Sequence, residues 1–186
     1  MIYVYVPGYR SLDIRNAVWR DFVKEHPGIR TVATLGVVDP DTVAQVAGQT
    51  KSALKANSGV KAIIAPWDEF ARGATRGIEE LGLQNATKVY GIDISTEDIA
   101  VMTKPDSPWV FTAATDAKND GSIVMRAAAL KALGQLEGEV LRVAPVLVSQ
   151  EGLRAKQIHD MDQLRASFPD LSTPKLLSAP WMDGMK

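Results

Sequence analysis

The sequence predicts a doubly wound α/β domain, a mostly parallel sheet with helices on both faces. Three observations predict it. Apolar strand-like runs alternate strictly with helical patterns at roughly 30-residue spacing, the mark of successive βαβ units. The strand runs are continuously apolar, as expected when both faces of a sheet are covered. The stretch Val60–Ala74, VKAIIAPWDEFARGA, reads as a buried strand, a sharp polar elbow at Pro66, Trp67, Asp68 and Glu69, and then a helix. That elbow lies at the carboxyl end of a strand, where open α/β sheets bind ligands.

The elements follow in order. Ile2–Val6 is the first strand, and Pro7-Gly8-Tyr9-Arg10-Ser11 forms a loop in which Ser11 is placed to cap a helix over Leu12–Glu25. His26-Pro27-Gly28 ends that helix, whose Val18, Trp19 and Phe22 form its buried stripe. Ile29–Val38 holds the second strand. Asp39 then caps a helix with Pro40 at its first position, where the missing N–H costs nothing. That helix runs to Ala56, with Val43, Val46, Ala47, Thr50, Ala53 and Leu54 on one face, and Asn57-Ser58-Gly59 ends it. After the third strand, Val60–Ala65, the next helix buries Phe70, Ala74, Gly77, Ile78 and Leu81.

Lys88–Ile92 is strand four, with Asp93 at its carboxyl end. Ser95-Thr96-Glu97-Asp98 has the form of a capping box for a short helix to Thr103. Trp109–Thr115 is strand five and Ala117–Leu136 a long helix. Val140–Val148 is a sixth strand, which Pro145 assigns to an edge or a bent path. A last helical pattern covers Ile158–Ala166, before Pro- and Ser-rich sequence.

Totals narrow the function classes. The 186 residues suffice for one full-sized domain. Net charge is −1 with no basic block, which argues against nucleic acid as the main partner. The absence of cysteine excludes disulfides and thiolate chemistry. No apolar run approaches the ~18 residues of a membrane span. The opening MIYVYVPG lacks a basic n-region and reads as a strand, not a secretion signal; a cytoplasmic location follows if Met1 is the true start.

Several residues carry potential chemistry. Arg15 shares the helical stripe of Val18, Trp19 and Phe22 and lies near the carboxyl edge of strand one. A guanidinium there can donate several fixed hydrogen bonds to hydroxyls or a carboxylate; the alternative is a packed stem with its head in water. Asp93 can accept from two adjacent hydroxyls, since Ser95 is better placed to cap the following helix. Asp68 is placed to cap the helix at Glu69. Trp67 offers an aromatic face to a ligand or folds over the core. Val37-Val38-Asp39-Pro40-Asp41-Thr42 has the form of a haloacid-dehalogenase-type phosphatase motif, in which Asp39 would attack phosphorus and Asp41 act as acid/base with Mg²⁺. The downstream lysine and acidic pair of such enzymes are not evident, and Asp-Pro is ordinary helix-start chemistry. His26 and His159 form no triad or metal set. There is no G-x-G-x-x-G and no Walker lysine, so no nucleotide cofactor is indicated.

Taken together, the strand with PGYRSLDIRNAVWRDF, the HPGI turn, DPDTVAQVAGQTKSALKAN, VKAIIAPWDEFARGA, KVYGIDISTEDI and FTAATDAKNDG resemble the carboxy-terminal lobe of the type I periplasmic sugar-binding proteins of ABC transporters, relatives of the ribose-binding protein. The resemblance runs from Ile2 to Val148. It implies a flavodoxin-like lobe over residues 1–150 with a C-terminal extension at 151–186, a sugar ligand, a membrane permease as partner, a periplasmic location, and no catalysis and no cofactor. It also implies that Arg15 and Asp93 hold sugar hydroxyls. Trp67 and Asp68 stand where relatives often have Asn-Asp, which replaces an amide by a stacking indole. Thr115 stands at the hinge where relatives often have Gln, and Tyr9 and Asp41 lie in adjacent loops. The effector domain of a lactose-repressor-type regulator shares this fold, but no DNA-binding helices precede it here.

In such proteins the ligand sits between two lobes. A single lobe supplies one wall, so this chain alone is expected to bind sugar weakly or not at all. The helix at 117–136 is apolar nearly all round, with Ile123, Val124, Met125, Leu130 and Leu133 among alanines. Such a helix is buried on more than one side. The resemblance implies that it packs on the other lobe after the chain crosses at the hinge. Without that partner it folds back onto its own sheet or swaps into a second copy, of which a homodimer through it is the expectation.

Overall fold

The computed structural model describes residues 1–138, 142–173 and 175–182. Its six-stranded sheet has the order β2-β1-β3-β4-β5-β6. The strands are β1 (Ile2–Val4), β2 (Ala33–Leu35), β3 (Ala62–Ala65), β4 (Lys88–Ile92), β5 (Trp109–Ala114) and β6 (Val146–Ser149). The first five run parallel and β6 pairs antiparallel at the edge beside β5, the edge placement expected from Pro145. The helices are α1 (Arg10–Glu25), α2 (Thr42–Ala56), α3 (Asp68–Glu79), α4 (Thr96–Thr103), α5 (Ala117–Ala132), α6 (Gln150–Ala155) and α7 (Met161–Ser167).

One face of the sheet holds the core. Ile2, Val4, Ile63, Ala65, Val89, Trp109, Ala114 and Val148 point to it. They meet Val46 and Leu54 of α2, Phe70, Ala74 and Ile78 of α3, Ile99 and Met102 of α4, and Leu153 of α6. The tail joins the same core through Ile158, Leu164 and Leu171. Two glycines set the approach of α3 to α2: a Cβ on Gly73 would stand 2.7 Å from the Val46 Cβ, and one on Gly77 2.7 Å from the Ala47 carbonyl oxygen. Gly91 does the same inside the sheet, where a Cβ would meet the Trp109 ring at 2.8 Å.

Among the described residues, the opposite face carries α1. Trp19 stacks on Tyr3 with ring centroids 5.1 Å apart, and the Tyr5 hydroxyl donates to Asp13 at 2.7 Å. The handedness of βαβ units explains the imbalance. The step from β1 to β2 runs one way across the sheet and places α1 on this face. The steps β2 to β3, β3 to β4 and β4 to β5 all run the other way and place α2, α3 and α4 on the core face. The expectation that Val18 and Phe22 are buried is therefore corrected: Val18 is 66% exposed and Phe22 is exposed, because among the described residues no second helix covers the sheet beside α1.

Other boundaries shift for local reasons. The second strand lies within Ile29–Val38 as expected but is only three residues, because Ile29 is held in a turn on the His26 carbonyl and Gly36 takes a positive φ. Ser11 does not cap α1; the cap position is Tyr9, and the helix begins at Arg10. Asp39 does not cap α2 directly, which begins at Thr42 after a turn closed by the Asp41 N–H on the Asp39 carboxylate at 2.8 Å. Ser95 does cap α4, accepting from the Asp98 N–H at 3.2 Å while its own hydroxyl donates to the Asp98 carboxylate at 2.7 Å. β6 is confined to Val146–Ser149; Val140 and Leu141 of the expected strand lie outside the described residues. The helix α6 was not anticipated. Its Leu153 is buried at the core end of a six-residue helix, too short to show periodicity in sequence. The long helix ends at Ala132, where Leu133 and Gly134 turn the chain.

Candidate functional site

The carboxyl ends of β1, β3 and β4 converge beside the start of α1. Position 15 falls on the side of α1 that overlooks β3 and β4, and the Arg15 guanidinium reaches across both. It donates to the Asp93 carboxylate through two nitrogens at 2.9 and 3.0 Å, and to the Pro66 carbonyl at 2.6 Å. A guanidinium in this setting is fixed in plane and direction, with further N–H groups left over for a ligand.

Asp93 is itself held in an unusual backbone state. Its φ is +74°, a left-handed conformation that non-glycine residues adopt at a cost of order 1–3 kcal/mol. Two neighbours on β5 hold it there. Its N–H donates to the Ala113 carbonyl at 3.0 Å, and its own carbonyl accepts from the Thr112 hydroxyl at 2.7 Å. Thr112 is buried, so this hydroxyl is committed to the role. Sequence reading placed Asp93 at the strand end but missed its strain and the part of Thr112. A threonine in an apolar strand is too common a signal to single out.

The pair forms the polar floor of a cleft of about 370 Å³ lined by Tyr9, Ser11, Leu12, Arg15, Val38, Trp67 and Asp93. That is within the size range of small-molecule sites. Trp67 leans edge-on against Phe70 with centroids 5.0 Å apart, which leaves the indole as one wall. Tyr9, Leu12 and Val38 supply more apolar surface. The arrangement is chemically able to grip two neighbouring hydroxyls at one end and to pack a non-polar face or substituent along the rest. A larger cleft, about 520 Å³, surrounds Met1, Pro27 and Val60 at the amino ends of the strands, the edge where open sheets do not usually bind ligands.

Of the residues singled out in the sequence, Tyr9, Arg15, Trp67 and Asp93 come together in this cleft. Asp68, Asp41 and Thr115 stand outside its lining. Asp68 is the first residue of α3 and accepts from the Glu69 N–H at 2.9 Å. Asp41 is the residue before α2. Thr115 is half-buried between β5 and α5. Ser11, Leu12 and Val38 line the cleft without having been anticipated. Asp39, the nucleophile of the phosphatase alternative, is occupied as an acceptor: one oxygen takes the Asp41 N–H and the other the Gln45 amide.

Behind Trp67 lies a buried acid. Asp98 of α4 is fully buried, bonded to Ser95 and 3.5 Å from the Arg72 Nε of α3. Burial pushes its carboxyl up to about 7, and the neighbouring Asp68 adds to the shift against the opposing pull of Ser95 and Arg72. On the far side of the cleft, Asp116 at the start of α5 is held by Arg165 of α7 at 2.7 and 3.0 Å, which keeps its carboxyl below the usual range.

Comparisons with solved structures agree with this architecture. The chain is 37% identical to the 5-methylthioribose transporter solute-binding protein of Thermotoga lettingae, crystallised with 5-methylthioribose; the match covers 97% of this chain and 57% of that one, with a TM-score of 0.92. It is 27% identical to a sugar ABC transporter protein of Yersinia enterocolitica, covering 97% of this chain and 55% of that one, with a TM-score of 0.89. A solute-binding protein of Actinobacillus succinogenes with bound D-allose shares the fold at 24% identity and a TM-score of 0.71, over 83% of this chain and 53% of that one. The chain thus spans a little over half the length of the proteins it matches. No curated protein sequence gives a significant match. A family model described as periplasmic binding protein domain matches residues 1–136, and the chain belongs to that family.

Proposed function

We propose that this chain is the sugar-gripping lobe of the solute-binding component of an ABC-type carbohydrate uptake system, acting in the periplasm by binding and not by catalysis. The observation that carries the reading is the Arg15–Asp93 pair on the floor of a cleft walled by Tyr9, Leu12, Val38 and Trp67. Arg15 donates to, and Asp93 accepts from, adjacent hydroxyls of the ligand. The apolar wall packs the rest of it. A pentose with a non-polar substituent, such as 5-methylthioribose, suits both halves, and the bound ligand of the Thermotoga relative supports that choice. Asp68, Asp41 and Thr115 flank the cleft and belong to its rim in the closed, two-walled state.

The membrane permease of the same transporter is the proposed partner of the whole protein. A second copy of this chain is a further partner, engaged through α5, whose Val124, Met125 and Leu133 are exposed.

The test is a titration of the ¹⁵N-labelled chain with 5-methylthioribose and, separately, ribose, followed by NMR. The expected result is fast-exchange shifts at Arg15, Trp67 and Asp93 with millimolar affinity, stronger for 5-methylthioribose, as one wall of a two-walled site allows. An absence of shifts at these residues at about 20–50 mM sugar, roughly 20- to 50-fold above a 1 mM Kd, overturns the reading.

A further inference from the structure

The indole wall of the cleft stands on a short elbow, Pro66-Trp67-Asp68. Trp67 is the cap residue of α3 and makes no side-chain capping bond. The elbow is fixed instead by its neighbours. The Pro66 carbonyl accepts from Arg15 at 2.6 Å, and the indole rests on Phe70. Asp68 lies within hydrogen-bonding reach of the Asp98 carboxyl of α4, which is fully buried.

The two oxygens of Asp98 are unequally served. One accepts from the Ser95 hydroxyl at 2.7 Å. The other, Oδ1, has no donor among the described residues. A buried polar atom left unpaired is costly. Two carboxylates cannot bond each other, but a carboxylic acid donates to a carboxylate, so a proton on Asp98 gives it a partner in Asp68. A second partner waits beside it. The Arg72 Nε is 3.5 Å from Oδ1, too far to bond, and is itself buried without an acceptor among the described residues. Asp68 and Arg72 are four residues apart on α3 and share one face. Asp98 therefore has a partner for its acid form and a partner for its anion one helical turn apart.

We propose that Asp98 is a positioning residue of the sugar cleft: a proton on its carboxyl ties Asp68, and with it the Trp67 wall, to α4, and loss of that proton to water turns Asp98 to Arg72 and releases the elbow. This rests on the ligand reading above and adds what holds the wall. The other charges nearby are engaged elsewhere. On α3 and α4, Glu69 and Glu97 both pair with Arg72. β5 carries no titratable side chain. On α6, Glu151 is exposed and Arg154 donates to the Lys104 carbonyl beyond the far end of α4. The tail meets α4 where the Met161 N–H donates to the Thr96 hydroxyl at 3.3 Å. There His159 is exposed, Asp160 caps α7 and Asp162 pairs with Arg165. Asp68 and Arg72 are the charges that act on Asp98, and with burial as the larger cause its carboxyl titrates at about 7. The tether is then complete in mild acid and lost as pH rises through that value. Sugar affinity follows the same sign, and bound sugar in turn raises the pH at which Asp98 lets go.

Two measurements test this, the first without sugar. Carboxyl ¹³C and indole ¹⁵N signals are followed from about pH 5 to 9, which brackets the expected midpoint. The chain has four tryptophans, and Trp67→Phe assigns the signal of interest. The Asp98 carboxyl and the Trp67 indole are expected to move together with one midpoint. Asp98→Asn keeps an N–H for Asp68 at every pH and is expected to flatten the Trp67 curve. Arg72→Gln removes the cation that favours the Asp98 anion and is expected to move the shared midpoint upward. In the second measurement, affinity for 5-methylthioribose is expected to fall about tenfold across this range, the effect of a one-unit difference in the Asp98 midpoint between free and bound chain. In Asp98→Asn it is expected to hold its acid-side value throughout. An Asp98 carboxyl that titrates below about pH 5, a Trp67 indole indifferent to that titration, or a midpoint unmoved in Arg72→Gln overturns the proposal. So does a flat sugar affinity while the indole moves. Sugar shifts absent at every pH overturn the ligand reading, and the first measurement then decides the tether.

Discussion

Arg15 of α1 and Asp93 at the end of β4 lie 78 residues apart in sequence and meet as a two-point ion pair at 2.9 and 3.0 Å. Their side chains are 26% and 29% exposed, so water screens the pair and its contribution to stability is only about 0–1 kcal/mol. Its value is positional: each partner fixes the direction in which the other presents hydrogen-bonding groups to the cleft.

Arg15→Ala is accordingly expected to leave the melting temperature within a few degrees of the parent while abolishing sugar-dependent shifts at Trp67 and Asp93. Arg15→Lys keeps the charge but loses the planar fork, and is expected to restore less than a tenth of the affinity. Thermal melts alongside the sugar titration separate the two effects; a loss of stability as large as the loss of binding would make the pair structural.

Thr112 holds Asp93 in its positive-φ state through a buried 2.7 Å hydrogen bond to the Asp93 carbonyl. Thr112→Val keeps the shape and removes the donor. It is expected to cost about 1–2 kcal/mol in urea unfolding, and to weaken sugar binding although Thr112 is not part of the cleft lining. Unchanged stability and unchanged binding would show that Asp93 keeps its conformation without this bond.

The glycines of the helical layer predict opposite signs for the same substitution. Gly73→Ala puts a methyl 2.7 Å from the Val46 Cβ and is expected to destabilise by about 1–3 kcal/mol, despite the better helix propensity of alanine. Gly48→Ala, on the same helix pair but with nothing within 4 Å, is expected to stabilise by about 0.4–1 kcal/mol. Chemical denaturation of both variants tests the claim; equal effects would mean that α2 and α3 can separate freely.

Two carboxyls predict opposite pH dependences. Asp98 keeps its proton in the folded state up to about 7 but releases it near 3.8 when unfolded. Between those values the folded chain binds more protons, so this group's contribution is full below 3.8 and is lost as pH rises towards 7. Asp116 is held below its ordinary value by Arg165, so its contribution is present above 3.8 and lost as pH falls further. Asp98→Asn is expected to flatten the decline in melting temperature between pH 4 and 7, and Asp116→Asn to flatten the loss on the acid side, both on the scale of ordinary carboxyl titration. Melting curves from pH 3 to 8 read both; a parallel shift of the whole profile in Asp98→Asn would remove it as the titrating group.

Much of this molecule is legible in the chain itself because the relevant physics is local. Alternation of apolar strands with amphipathic helices sets the βαβ architecture, the capping box at Ser95–Asp98 starts α4, and the apolar stripe of α2 names the residues that meet α3. Asp93 at a strand's end and Arg15 on the first helix were each recognisable as candidates, as were Trp67 and Tyr9. The tertiary structure alone decided that Arg15 and Asp93 face each other, because contact across 78 residues depends on β1, β3 and β4 being neighbours in the sheet. It alone decided that Val18 and Phe22 are exposed. A side chain's apolar character states that burial would be favourable, not that a neighbour arrives. Here the handedness of the crossovers sends α2, α3 and α4 to the other face, and among the described residues Tyr90 and Phe111 stay exposed.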